Sequence, residues 1–104
     1  MMEGAPSEEM LSSGIHVVEF SAPWCAPCVA FAGIFEDVSD RDDYSKVGFW
    51  IVDISTPEGQ EASDTYSVRS VPTIVVFEDG SVREIMIGEE VNESKLTETL
   101  DEIQ

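Results

Sequence analysis

The chain has 104 residues, 42% of them hydrophobic, with 22 acidic against 5 basic side chains and a formal net charge of −17. That length bounds it to one domain, 1–104, able to bury a real core. The charge makes nucleic acid and anionic lipid poor partners, and no run approaches the roughly 20 apolar residues of a membrane span.

The N-terminal Met1-Met2-Glu3-Gly4-Ala5-Pro6 lacks the basic start and long apolar core of a secretory leader, so a cytoplasmic location is expected. Three explanations fit the acidity: solubility, a preference for basic patches on partner proteins, or adaptation to high salt. Only two lysines, Lys46 and Lys95, are present.

In chain order, Pro6 to Ser12 reads as a short helix with Met10 and Leu11 as core contacts, ended by Gly14. Ile15-His16-Val17-Val18-Glu19-Phe20 is a nearly continuous apolar run bounded by turn residues, which suits a strand covered on both faces. His16 reads as a strand-end residue rather than a catalyst. A helix follows from Cys25 to about Ser39, with Phe31, Ile34, Phe35 and Val38 as one core stripe. Val47 to Asp53 is a second buried strand. Ser55-Thr56-Pro57-Glu58 carries cap and first-turn chemistry for a helix reaching about Tyr66. Ile74-Val75-Val76-Phe77 and Val82 to Ile87 flank a hairpin turn at Glu78-Asp79-Gly80-Ser81, and Gly88 breaks the return strand. An amphipathic helix from Asn92 buries Leu96, Leu100 and Ile103. The order βαβα then ββα predicts an α/β fold, a mixed sheet with helices on both faces.

The chemistry concentrates at Trp24-Cys25-Ala26-Pro27-Cys28, which holds the only two cysteines. At a strand-to-helix transition the first sulfur meets the unpaired N–H groups and positive dipole end of the helix, which favour thiolate over thiol. A cysteine so placed titrates below the free value of about 8.5. The thiolate can then attack a disulfide, and the second cysteine can resolve the mixed disulfide. Pro27 suits a first turn, where its missing N–H costs nothing. A C-x-x-C alone also fits half a zinc site or an inert staple. Zinc usually needs four ligands, and His16 precedes the pair rather than following at ligand spacing. So short a loop gives a disulfide little chain-entropy effect.

Three separated segments then appear in the right order: Phe20 to Cys28, Tyr66 to Thr73, and Phe77-Glu78-Asp79-Gly80 with Gly88 beyond. From about Gly14 onward the chain resembles the thioredoxin family. The resemblance implies a thioredoxin fold with a mixed sheet of four or five strands, the family's first edge strand being missing or vestigial. It implies an exposed nucleophile at Cys25, a buried resolving Cys28, and a cis peptide before Pro72. Trp24, Pro27, Val71, Pro72, Thr73 and Gly88 would bind substrate, the Val71 backbone pairing with an extended segment. Glu19 falls where the family keeps a buried acid, usually Asp, that takes the proton of the second cysteine.

Departures are visible. Ser21 replaces a common Trp, Ala26 a Gly, Val29 a Lys, and Phe49 the Lys that often accompanies the buried acid. Without that cation Glu19 should be harder to ionise. The activity implied is protein-disulfide reduction by a monomeric electron carrier in cell redox homeostasis. Its partners would be disulfide-containing proteins and a thioredoxin reductase or equivalent, with no metal or cofactor. The alternatives are a disulfide oxidant or isomerase of the same fold, and a binding module with incidental redox activity.

Overall fold

A computed structural model describes residues 1–104. Nine elements follow in order: β1 (Met2–Glu3), α1 (Glu8–Leu11), β2 (Ile15–Ser21), α2 (Ala26–Ser39), β3 (Gly48–Asp53), α3 (Pro57–Thr65), β4 (Thr73–Glu78), β5 (Ser81–Ile87) and α4 (Glu93–Ile103). The strands form one mixed sheet in the order β1-β3-β2-β4-β5. β3 is parallel to both β1 and β2, whereas β4 is antiparallel to β2 and β5. The first edge strand is therefore present but only two residues long.

β2 is the central strand, and its side chains alternate between two cores. Val17 shares one with Phe31, Phe35 and Val38 of α2 and Leu96 and Leu100 of α4. Val18 and Phe20 share the other with Leu11 of α1, Ala62 of α3, and Val75 and Phe77 of β4. Helices thus cover both faces, as expected. Glu19 points to the same face as Val17, the face beneath α2.

Three details differ from the expected core. Met10 is 49% exposed and only Leu11 of that helix is buried; Ile34 is 37% exposed; and Ile103 is half-buried. α1 has only four residues, capped by the Ser7 hydroxyl accepting from the Met10 N–H, so it offers a single inward position.

The helix starts follow from their caps. The Thr56 hydroxyl accepts from the Gly59 N–H, and the Asn92 side chain accepts from the Lys95 N–H. Asp79 and Gly80 both lie at positive φ in the tight turn between β4 and β5. The Asp79 carboxylate accepts from the Gly14 N–H at 2.8 Å, tying this turn to the start of β2.

His16 lies at the end of β2 remote from the cysteines. Its Nδ1 accepts from the Trp50 indole at 3.2 Å, and its Nε2 faces the Ser13 carbonyl at 3.0 Å. Both ring nitrogens are thus spent on structure.

At Gly59 α3 presses against the end of β3, since a Cβ there would run into the Asp53 carbonyl. Backbone cannot give way as a side-chain tip can. Gly59→Ala is expected to lower stability by roughly 1–3 kcal/mol in chemical denaturation. The α3 register would be wrong if the variant matched wild type.

Candidate functional site

The site is built where β2 ends and α2 begins. Cys25 is the N-cap of α2, with extended backbone (φ −96°, ψ 105°), and its Sγ accepts from the Cys28 N–H at 3.2 Å. A backbone donor of the first turn is therefore aimed at the first sulfur, the arrangement that favours negative charge there. The two cysteines are joined as a disulfide with Cα atoms 5.2 Å apart. Cys28 is 2% exposed, as expected of the inner cysteine. Cys25, expected to be exposed, is only 6% exposed with the disulfide closed. The cap position turns its sulfur back over the helix end.

Val71 packs against the small cluster of Ala22, Cys25 and Cys28. The Val71–Pro72 peptide is cis. Pro27, Val71, Pro72 and Gly88 together line a groove of about 450 Å³, with Phe31 and Ile34 of α2 among its apolar walls. The Gly88 N–H donates to the Pro72 carbonyl at 3.0 Å, locking one wall to the proline segment.

Two expected groove residues are placed elsewhere. Thr73 is 3% exposed and its hydroxyl donates to the Ser70 carbonyl at 2.8 Å. It pins the proline turn from inside and does not line the groove. Trp24 is 70% exposed beside Cys25 and lies outside the groove lining. Ile34 was assigned to the core but belongs to the groove wall. α2 carries apolar Val29 and Ile34 outside its buried face, and helical spacing alone does not separate such residues from the core.

Behind the cysteines, on the β3 side, Cys28 lines a second cleft of about 510 Å³ with Ser21, Ala22, Val29, Ile51 and Asp53. Ser21 is the position where the family often has a Trp, and its small side chain leaves this wall open.

Glu19 is 1% exposed, and its Oε1 has no hydrogen-bond partner. Its sheet neighbours are Ile51 on one side and Ile74 on the other. Phe49, on the same sheet face, packs edge-on against Phe35 instead of supplying a cation. Burial alone pushes the Glu19 carboxyl up from 4.5 to about 7. A group titrating there can both take and give a proton near neutrality.

Comparison with known proteins agrees with this geometry. The thioredoxin family model matches residues 5–102. Thioredoxin 1 of Synechococcus elongatus is 35% identical over 96 residues, covering 90% of this chain and 85% of its own. The thioredoxin of Bacillus subtilis is 39% identical over 77 residues, covering 74% and 71%. The structure of Fasciola hepatica thioredoxin superposes with a TM-score of 0.79 at 32% identity, covering 92% of this chain and 86% of that one. The disulfide at the start of α2, the groove beside it and these relatives lead to one statement: the chain belongs to the thioredoxin family of thiol-disulfide oxidoreductases.

Proposed function

We propose that the protein works in the reducing direction, as a monomeric, single-domain, cytoplasmic electron carrier that reduces protein disulfides and is recharged by a thioredoxin reductase or equivalent. The observation that supports this most is the Cys25–Cys28 disulfide at a helix N-terminus beside a groove walled by Pro27, Val71, Pro72 and Gly88.

In the reduced protein the Cys25 thiolate attacks one sulfur of a substrate disulfide. The substrate S–S bond breaks, one substrate sulfur leaves as thiolate, and a mixed disulfide forms. The Cys28 thiol then gives its proton to the Glu19 carboxylate and attacks the Cys25 sulfur. The second substrate sulfur leaves, and the Cys25–Cys28 bond closes. The Val71 backbone pairs with the extended substrate segment, while Pro27, Pro72 and Gly88 shape its seat. Trp24 borders the docking face from outside the groove. Thr73 acts from within by holding the Ser70 turn. No helix is long and apolar enough to cross a membrane.

Equilibration with a glutathione buffer tests the direction. The reductant reading expects a potential near about −270 mV, the reference value of thioredoxin itself, and one near about −180 to −120 mV would instead make the chain an oxidant.

A further inference from the structure

We infer that Glu89 makes the docking groove selective for disulfides with an arginine or lysine beside the attacked cysteine. This rests on the disulfide-exchange reading above and names its substrate class.

The groove walls are apolar except at one rim, where Glu89, Asn92 and Glu93 stand, and no cationic side chain lines it. Its acids are not equivalent. Glu93 Oε2 is held by Arg41 Nη2 at 2.6 Å. Glu90, next in sequence, accepts from the Ile87 N–H with its Oε1. The Glu89 carboxylate has neither an ion-pair partner nor a hydrogen-bonded donor. Its backbone is nonetheless fixed, because Gly88 is bonded to Pro72 and the Val91 N–H donates to the Gly88 carbonyl at 3.0 Å. An unpaired anion is thus held one residue from the wall against which a substrate would lie.

A substrate arginine there can rest its stem on Phe31 and Ile34 and present its head to Glu89. A substrate acid meets like charge in a closing, partly desolvated groove. Arg69, on the loop leading to Val71, is the nearby cation in sequence, but it does not line the groove.

The test uses the reduced full-length protein and three cyclic disulfide peptides, identical except for Arg, Gln or Glu flanking one cysteine. At low salt the Arg peptide is expected to be reduced about tenfold faster than the Glu peptide, the ratio collapsing at about 1 M salt. Glu89→Gln should cut the ratio about threefold. Glu102→Gln, at the far end of α4, removes the same charge and should leave the ratio unchanged. A ratio near one, or equal changes in the two variants, overturns the selectivity while the peptides are still reduced. If wild type reduces none of the three peptides, the exchange reading itself falls and takes this proposal with it.

Discussion

Replacing Cys28 by Ser is expected to stop turnover and leave the substrate attached to Cys25, whereas Cys25→Ser should abolish reaction at the first step. The asymmetry follows from position. Cys25 is the N-cap whose sulfur receives the Cys28 N–H, while Cys28 lies inside the first turn at 2% exposure. A sulfur at the helix end, where a first-turn N–H supports its thiolate, is the one suited to open an incoming disulfide. Reduced Cys28→Ser incubated with an oxidised protein substrate should yield a covalent adduct that dithiol reductant reverses. Cys25→Ser should yield none, with turnover down by at least about three orders of magnitude as thiolate attack is lost. Adduct formation through Cys28 in the Cys25→Ser variant would reverse the assigned roles.

Glu19→Gln should make the protein more stable at pH 8 and slower at its chemistry. Burial pushes the native carboxyl up to about 7, against 4.5 for the free side chain. Below pH 4.5 both folded and unfolded states are protonated, and burial of this group carries no ionisation penalty. Between pH 4.5 and 7 the unfolded chain releases the proton while the folded one keeps it, so stability falls as pH rises. Above about 7 the penalty is complete, on the order of 3 kcal/mol. Gln keeps the shape and removes the titration. The difference between wild type and variant should therefore grow from pH 4.5 to 7 and then level, which cancels the shared effect of the acidic surface. In the same variant, closure of the mixed disulfide at pH 7 should slow at least about tenfold, because the proton acceptor is gone. A stability difference flat across that window would show that Glu19 is hydrated. An unchanged closure rate would remove its proton-transfer role.

How much of this was legible in the sequence depends on how much pattern each element carries. β2 and β4 announce themselves through dense β-branched runs, β3 through a short aromatic and β-branched one, and α4 through Leu96 and Leu100 at helical spacing. β1 could not be read, because two residues paired to Trp50 and Ile51 make no pattern; only the register against β3 creates that strand. Ile34 was misplaced because α2 is apolar over more than its inward stripe, and the sequence does not say which apolar residues face a groove. Thr73 illustrates the same limit: the backbone at that place belongs beside the groove, but the hydroxyl turns inward to Ser70. The cysteine pair was legible as chemistry from its spacing taken with its strand-to-helix setting and the shortage of further metal ligands. Glu19 and Pro72 acquired roles through resemblance to a family. The raised carboxyl then follows from neighbours, Ile51 and Ile74, that lie far from Glu19 along the chain.

The claim on which the rest depends is that the end of α2 makes the Cys25 sulfur ionise more readily than a free thiol. The pH profile of iodoacetamide alkylation of the reduced protein, with Cys25 followed by peptide mass analysis, tests it most directly. The account predicts that Cys25 reacts alone and already near its plateau rate by about pH 7.5, as in thioredoxin itself, where the midpoint is about 7. A rate still climbing through about pH 8.5, the midpoint of an ordinary cysteine, would contradict it.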